Sequence, residues 1–325
     1  MDKMNVAVIG VGYWGKKIVS EYAELSKEDS KVNLYGVCDL FEDNLKFCRE
    51  NYSIPCIVKY HKEILTDPEI DAVHICTPSV THFEVCKEAL EAGKHAIVEK
   101  PMTLNSLEAH KLVDLAHSRN LVLSVGHIFR FDGALEKARS LVDSHFFGDL
   151  FWIKLQWTAL MPLMEGRDII TDLAPHPYDI LNFLTNEWPL KITCVAKAHR
   201  KGQQEETAHI TVELKNNVMA HLELSWLYPE KTREVSIMGS ERFAKIDCLT
   251  QEINAFENGH FYKIPVEKTN TIHAELTHFV ECIRNGHALN NGYLNKNNGF
   301  VGANVVRLLE ITRSSMKKER TECVE

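Results

Sequence analysis

Val6-Ala7-Val8-Ile9-Gly10-Val11-Gly12-Tyr13-Trp14-Gly15 decides the fold class of the first part of the chain. The run Val6–Ile9 is short, apolar and rich in valine, which predicts a buried strand, and the glycine segment opens a helix. The spacing is G-x-G-x-x-G: the first two glycines let the backbone turn tightly and approach a pyrophosphate, and the third lets helix and strand pack closely. A helix N-terminus adds free N–H groups and a positive dipole end. The sequence therefore predicts dinucleotide binding by Gly10, Gly12, Tyr13, Trp14 and Gly15.

The same alternation of strand and helix continues to about residue 125. Phe83–Ala92 has apolar residues at helical spacing and is followed by Gly93, while Asn105 and Glu108 have the pattern of a capping box. Further buried strands are predicted at Leu34–Cys38, Ala72–Cys76, Ala96–Val98 and Val122–Val125. This rhythm is typical of a parallel, doubly wound Rossmann sheet, which we assign to residues 1–124.

The pattern changes in the second part of the chain. A helix is predicted over residues 133–144, and a series of strand-like runs follows it. These runs are Leu150–Trp157, Ile192–Ala198, Ala208–Leu214, Val218–Trp226, Glu234–Met238, Phe243–Ile246 and Phe261–Ile264. We expect late helices at His273–Arg284 and Gly299–Met316, and a frayed charged tail at Lys317–Glu325. Residues 125–325 are therefore predicted to form an α+β domain with a large, mostly antiparallel sheet.

Composition excludes several classes of function. Of the 325 residues, 45% are apolar, and the net charge is −8 with neither half basic, which argues against a nucleic-acid partner. No apolar run approaches the roughly 18 residues that cross a bilayer, and the start does not resemble a signal peptide. The nine cysteines lack zinc-knuckle spacing, and the sixteen histidines include no H-E-x-x-H pattern. We expect a cytoplasmic protein with reduced thiols, no metal site and no membrane partner.

An acidic residue ends the second predicted strand. Asp39 can accept hydrogen bonds from both hydroxyls of an adenosine ribose and would repel a 2′-phosphate. The next residues, Leu40 and Phe41, supply no basic partner for such a phosphate. The sequence therefore favours NAD over NADP as the cofactor.

Two further segments are more specific than the glycine turn. Thr77-Pro78-Ser79-Val80-Thr81-His82 reads T-P-x-x-x-H, and Gly93–Pro101 reads G-K-H followed by E-K-P. In the second part, Gly126-His127-Ile128-Phe129-Arg130-Phe131 and Asp172–Asp179, which contains D-L-A-P-H, complete the pattern. With these motifs the chain resembles, over nearly its whole length, the Gfo/Idh/MocA oxidoreductases, a family named for glucose–fructose oxidoreductase and inositol dehydrogenase.

The resemblance implies which residues contact the cofactor and which transfer protons. Implied cofactor contacts beyond the glycine turn are Asp39, Thr77, Pro78, His82, Glu99, Lys100 and His127, although the family often has Asn at the last position. Lys100 and His176 are implied to flank the reacting carbinol, and which of them is the base stays open. On physical grounds Lys100 follows a buried strand, where open α/β sheets bind ligands, and Asp172 lies four residues before His176, so that it can orient the imidazole on one helix face.

Substrate contacts are less well determined. Arg130 and Arg167 could bind a diphosphate or a uronate carboxylate, or each could be a structural ion-pair arginine. The family's second motif often opens with paired glycines, whereas this chain has Glu165–Thr171, so the loop says little about substrate shape. The motifs are most similar to those of sugar-nucleotide 3-dehydrogenases.

We therefore expect an NAD-dependent dehydrogenase that oxidises a carbinol of a sugar, sugar nucleotide or cyclic polyol, with Lys100, Asp172 and His176 as the acid–base set. Its assembly, implied by resemblance, is a homodimer or homotetramer. The alternatives are a glycosidase that uses bound NAD in a redox cycle, a dehydrogenase or reductase of a non-sugar substrate, and a cofactor-sensing regulator.

Overall fold

The structure, a computed structural model, describes residues 3–162, 167–200, 204–286 and 295–324. The chain separates into two units, the first made of residues 1–128 and 272–306 and the second of residues 129–271 and 307–325. A division between residues 124 and 125 treats the domains as consecutive segments, whereas residues 272–306 return to the first unit. As limits of functional domains, the ranges 1–124 and 125–325 stay a prediction.

The first unit contains a six-stranded parallel sheet, counted over the described residues. Its strands are β1 (Met4–Ile9), β2 (Val32–Cys38), β3 (Cys56–Val58), β4 (Ala72–Ile75), β5 (His95–Val98) and β6 (Leu123–Val125). The helices between them are α1 (Tyr13–Glu28), α2 (Glu42–Asn51), α3 (His61–Thr66), α4 (His82–Glu91) and α5 (Ser106–Ser118). The strand order β3-β2-β1-β4-β5-β6 is that of two mononucleotide-binding halves. The predicted Rossmann sheet is confirmed.

Helices cover both faces of this sheet. On one face, Ile18 and Tyr22 of α1 pack with Val6 and Val8 of β1, and on the other, Leu112 of α5 belongs to the second buried cluster. Burial on both faces explains why the strands read as continuous apolar runs without polar alternation. The helix α5 begins as its sequence predicts, because the side chain of Asn105 accepts a hydrogen bond from the N–H of Glu108.

The second unit is built on a nine-stranded sheet, again counted over the described residues. In chain order the elements are α6 (Gly133–Asp143), β7 (Leu150–Leu160), α7 (Ile169–Leu173), α8 (Pro175–Thr185), β8 (Lys191–Lys197), β9 (Thr207–Glu213), β10 (Met219–Ser225), β11 (Leu227–Gly239), β12 (Phe243–Asp247), β13 (Glu252–Glu257) and β14 (His260–Ile264). They are followed along the chain by α9 (Thr271–Arg284) and α10 (Gly299–Lys318), and then by β15 (Glu322–Cys323). Residues 272–306, which hold nearly all of α9 and the first part of α10, belong to the first unit. The strand order is β14-β13-β12-β11-β7-β10-β9-β8-β15, and β10 pairs with β7 in parallel while the other pairs are antiparallel. The predicted α+β class is confirmed.

The two faces of this sheet differ. In β7, Ile153, Leu155 and Trp157 are fully buried, whereas the alternating residues Lys154 and Gln156 are half-buried. Helices α6 and α8 pack on β12 and β7, so one face is covered. The period of two along β7 therefore separates a core face from a more exposed face.

Three local expectations differ from the structure. The strands β3 and β13 were not predicted, since the first has three residues and the second mixes polar with apolar side chains. The tail at 317–325 does not fray throughout: α10 extends to Lys318, and β15 pairs with β8. Asp172 and His176 lie on two short consecutive helices, α7 and α8, and not on one helix.

None of the described helices is long and apolar enough to cross a membrane. The nine cysteines are free thiols, six of them buried. Burial raises the pKa of Cys86 to about 12, so that this thiol stays protonated at neutral pH.

Candidate active site

Glycine is required by close backbone approach at two positions of the turn after β1. Gly10 has φ +94°, and a Cβ there would lie 2.8 Å from the carbonyl oxygen of Cys76 at the end of β4. A Cβ at Gly15 would overlap the carbonyl oxygen of Gly10, so α1 crosses directly above the turn. By contrast, a Cβ at Gly12 would meet no described atom within 4 Å, and Gly12 and Tyr13 are exposed. The N-terminus of α1 therefore presents accessible backbone, as a pyrophosphate site needs.

The carboxylate of Asp39 is fixed beside this turn. It accepts a hydrogen bond from the N–H of Val11 at 2.6 Å and another from the N–H of Phe41 at 2.8 Å. Asp39 is buried, whereas Leu40 and Phe41 are 62% and 72% exposed. An anionic group next to exposed apolar side chains is suited to a ribose and an adenine, and is unfavourable for an added phosphate.

The two specific motifs of the first unit are joined by one buried histidine. Nδ1 of His82 lies 2.9 Å from the carbonyl oxygen of Pro101, and Nε2 lies 2.8 Å from that of Thr77. Both partners are acceptors, so the imidazole satisfies both when each ring nitrogen carries a proton. The Lys100–Pro101 peptide is cis, and Lys100 is half-buried just beyond β5. His82 thus ties the T-P-x-x-x-H segment to the segment that carries Lys100, while Pro78 is exposed.

Glu99 connects the glycine turn to the strands beneath it. Its Oε1 accepts a hydrogen bond from Nε1 of Trp14 at 2.6 Å and lies 3.3 Å from Nε2 of His74. His74, Cys76 and Glu99 each place one atom of a type that can bind a metal within 4.8 Å of the others. This grouping is not visible in the sequence, because the residues come from two neighbouring strands.

The segment after β6 approaches the same carboxyl group. A Cβ at Gly126 would lie 2.8 Å from Oε2 of Glu99, which explains the glycine in the G-H-I-F-R-F motif. The next residue, His127, is 1% exposed, and its N–H donates to the carbonyl oxygen of Val125 at 2.6 Å. Among the cofactor contacts predicted in the first unit, the structure thus joins Trp14 to Glu99, and His82 to the backbone of Thr77.

In the second unit, Asp172 and His176 lie on either side of the junction between α7 and α8. Oδ2 of Asp172 accepts a hydrogen bond from Nε1 of Trp226 at 3.2 Å, and Oδ1 lies 3.5 Å from Nη1 of Arg167. The His176 ring packs edge-on against Phe129, with centroids 5.0 Å apart. The carboxylate and the imidazole are therefore both oriented by aromatic side chains from other elements.

The two arginines predicted to bind substrate differ in environment. Arg130 is buried, and its Nε donates to Asp179 at 2.5 Å while Nη2 donates to Asn182 at 2.8 Å. This is the structural ion pair that the sequence left open, and it also occupies Asp179. Arg167 is 47% exposed along its side chain and faces Asp172. The first two residues of its segment, Glu165 and Gly166, lie outside the described residues. Substrate contact by either arginine stays a prediction.

Three residues near Asp172 and His176 were not predicted as site residues. Trp226 contacts Asp172, Phe129 contacts His176, and Arg233 interacts electrostatically with Asp172. Tryptophan and phenylalanine in apolar segments read as core, and an arginine within a strand reads as surface. No local sequence signal distinguishes them, since the contacts join residues far apart in the chain.

Two family models match separate parts of the chain. A sequence model described as "Oxidoreductase family, NAD-binding Rossmann fold" matches residues 4–127, and one described as "GFO/IDH/MocA C-terminal domain" matches residues 135–244. The chain is 31% identical to UDP-N-acetylglucosamine 3-dehydrogenase of Acidithiobacillus ferrooxidans over 80% of its own length and 79% of that protein. It is 27% identical to the NAD(+) scyllo-inositol 2-dehydrogenase of Bacillus subtilis over 69% of its length and 70% of that protein.

A solved structure of the Acidithiobacillus ferrooxidans UDP-N-acetylglucosamine 3-dehydrogenase matches with a TM-score of 0.83 at 27% identity. The match covers 98% of this chain and 99% of that one.

Proposed function

The chain belongs to the Gfo/Idh/MocA oxidoreductase family, and from that membership we propose that it is an NAD-dependent dehydrogenase acting on a sugar, a sugar nucleotide or a cyclic polyol. The observation that carries the proposal is the accessible helix N-terminus at Gly12 beside the fixed carboxylate of Asp39. These two features fit the pyrophosphate and the adenosine ribose of NAD.

The cofactor would be held by the turn Gly10–Gly15 and by Asp39. The closeness of Gly10 and Gly15 leaves no space for side chains under the turn, and the exposed Gly12 leaves its backbone open to a diphosphate. Thr77, Pro78, His82, Glu99, Lys100 and His127 complete the proposed set of contacts. When bound, NAD would supply the hydride acceptor for the carbinol carbon.

The protein's own contribution is proton transfer and orientation. Lys100, at the end of β5, and His176, at the start of α8, are proposed to take and hold the hydroxyl proton. Asp172 keeps its carboxylate in one place through Nε1 of Trp226, which supports its role in orienting and charging the imidazole. Phe129 packs edge-on against the His176 ring and restricts its orientation.

The preference for NAD over NADP is proposed from Asp39. Its two oxygens accept hydrogen bonds from the backbone N–H groups of Val11 and Phe41, which keep the carboxylate beside the turn. A 2′-phosphate would meet this charge at short range, whereas ribose hydroxyls can donate to its remaining lone pairs.

The substrate class is proposed from the relatives named above, which act on UDP-N-acetylglucosamine and on scyllo-inositol. Purified protein, first checked for carried-over cofactor, should therefore be mixed with NAD and a panel of sugar nucleotides, free sugars and inositols. We expect absorbance at 340 nm to rise with one of these classes.

NAD binding without net reduction by any of them would contradict the dehydrogenase. It would favour instead the redox-cycling glycosidase or the cofactor-sensing regulator, and a response only to non-sugar alcohols would favour the third alternative.

Self-association is proposed through the more exposed face of the nine-stranded sheet. Met219, Trp152 and Met238 are aligned across three strands, and Phe243 and Phe256 continue the row on the next two. Met219 and Met238 are 37% and 41% exposed. A row of large apolar side chains that is partly exposed is typical of a surface that binds another protein.

Light scattering tests this proposal. We expect a homodimer or homotetramer for the wild type and a smaller assembly for Met238→Asp. A monomeric wild-type protein would contradict the proposal.

A further inference from the structure

Arg233 is held in a fixed position at the edge of the second unit's site. It lies opposite Trp157 in the pairing of β11 with β7, and its guanidinium carbon is 5.9 Å from the centre of the indole ring. Its Nη1 donates to the carbonyl oxygens of Thr158 at 2.9 Å and Thr232 at 2.8 Å. One end of the guanidinium is therefore anchored, and its plane is supported by an aromatic ring.

The other edge of the same guanidinium has no partner among the described residues. Neither Nε nor Nη2 donates a hydrogen bond there, and no described carboxylate forms an ion pair with Arg233. Neither atom is among the described side-chain atoms that are both buried and without a hydrogen-bond partner, so neither is completely shielded from solvent. Arg130 and Arg313 differ, because each is paired with an aspartate. Nε and Nη2 together form the two-donor edge that binds a carboxylate or phosphate.

Burial has an electrostatic consequence at this position. Burial lowers the pKa of Arg233 to about 10, although the negative charge of Asp172 raises that pKa. The side chain is therefore charged at neutral pH while partly removed from water. A partly desolvated charge with open donors binds an anion more strongly than a fully hydrated surface arginine does.

Arg233 interacts with the proposed acid–base residues of the same unit. Its electrostatic interaction with Asp172 places the charge near that carboxylate. A chain of ring contacts also leads from Arg233 through Trp157 and Phe129 to His176, with centroid distances of 5.3 Å and 5.0 Å for the last two contacts. Arg233 and His176 therefore belong to the same packed group of side chains in the second unit.

We propose that Arg233 is a specificity-determining residue that binds an anionic group of the substrate, so that the substrate is an acidic sugar derivative and not a neutral sugar or polyol. The inference rests on the proposed function and narrows its substrate class. The chemistry recognised is an oxyanion bound by two donors, which either a diphosphate or a uronate carboxylate offers.

Binding should be measured by isothermal titration calorimetry with protein saturated with NADH. The probes are UDP-N-acetylglucosamine, glucuronate and neutral N-acetylglucosamine. We expect Arg233→Ala to weaken binding of one acidic probe by about 10- to 100-fold, the loss typical of charged hydrogen bonds. Binding of the neutral sugar should change by less than about threefold. The acidic probe that loses affinity identifies a diphosphate or a carboxylate as the group bound.

Two further variants separate binding from structural support. Arg233→Lys keeps the charge and loses the two-donor edge, so it should retain affinity between those of the wild type and Arg233→Ala. Arg320→Ala removes an exposed arginine of the same unit and should behave as the wild type. Thermal unfolding of each variant checks that the fold persists, and Arg233→Lys carries the test if Arg233→Ala does not fold.

The inference is overturned if the wild type binds neither acidic probe, or if the neutral sugar loses as much affinity as they do. Turnover is read separately at 340 nm. Reduction of NAD by a neutral polyol, unchanged in the Arg233 variants, would overturn this inference and leave the dehydrogenase standing. Selective loss of an acidic probe without any turnover would keep the anion site and overturn the dehydrogenase.

Discussion

The two units prepare their chemistry in different ways. In the first, the proposed cofactor contacts lie on loops and helix starts that follow the carboxyl ends of parallel strands, and backbone constraints at Gly10 and Gly15 fix the turn. In the second, Asp172 and Arg233 contact side chains that are far away in the sequence, namely Trp226 and Trp157. Backbone constraints are local and leave a mark on the sequence, whereas side-chain positioning depends on which strands become neighbours.

The largest predicted effect tests whether both units contribute to one reaction. Lys100→Met in the first unit and His176→Ala in the second should each lower turnover by about 10²- to 10⁴-fold, because each removes a proposed proton-transfer group. Steady-state kinetics measures the loss, and NAD titration should show that binding persists. Lys111→Met, on the exposed side of α5, serves as the matched control. Near-normal turnover in either catalytic variant would remove that residue from the acid–base set.

The next prediction concerns two glycines of the turn, one required for packing and the other for the approach of the cofactor. Gly15→Ala forces a methyl group against the carbonyl of Gly10, so it should lower the free energy of unfolding by about 3 kcal/mol or more and abolish NAD binding. Gly12→Ala meets no described atom and should change stability by less than about 1 kcal/mol, yet weaken NAD binding by about tenfold or more because the methyl obstructs the pyrophosphate. Urea unfolding and NAD titration measure the two effects. Wild-type NAD affinity in Gly12→Ala would place the pyrophosphate elsewhere.

A third prediction compares the helix caps of the two units. Asn105 caps α5 near the surface, whereas Asp132 caps α6 in a fully buried position, where burial raises its pKa to about 6. The folded protein then binds a proton more tightly than the unfolded chain, so this contribution to stability is present below about pH 4 and is lost as the pH rises to about 6.

Asp132→Asn keeps the capping oxygen and removes the ionisation. Relative to the wild type, its free energy of unfolding should therefore increase by about 2 kcal/mol between pH 4 and pH 7. Urea unfolding at a series of pH values measures the difference. Parallel pH profiles for the two proteins would show that Asp132 does not titrate in this range. The control is Asn105→Asp, which places a carboxylate at the exposed cap of α5.

The smallest predicted effect concerns cofactor choice in the first unit. Asp39→Ala removes the acceptor for the ribose and the charge that disfavours a 2′-phosphate, so NAD binding should weaken by about tenfold while the NADP-to-NAD affinity ratio rises. Fluorescence titration with NADH and NADPH measures both. Since Asp39 also accepts the N–H of Val11, unfolding must be compared with the wild type. An unchanged affinity ratio would contradict the assignment of NAD.

The sequence predicted the first unit better than the second, because local backbone constraints leave a mark on the sequence and contacts between distant residues do not. The strand before Gly10 and the Asn105 cap depend on neighbouring residues, and both are present in the structure. The strand β3 was missed because three residues carry no periodicity, and the pairing of β15 with β8 joins segments more than a hundred residues apart. For the same reason the sequence left Arg130 open between substrate and ion pair, and it gave no sign that Arg233 lies near Asp172.

The central claim is that a hydride leaves a ring carbon of the substrate for NAD. The most direct test is to incubate the protein and NAD with UDP-N-acetylglucosamine that is deuterated at its sugar ring carbons. Glucuronate and inositol, deuterated in the same way, are tested in parallel. The mass of the coenzyme is then measured by mass spectrometry. The account predicts that one of these substrates yields NADH carrying one deuterium. Unlabelled NADH, or substrate cleavage with no reduced coenzyme accumulating, would contradict it.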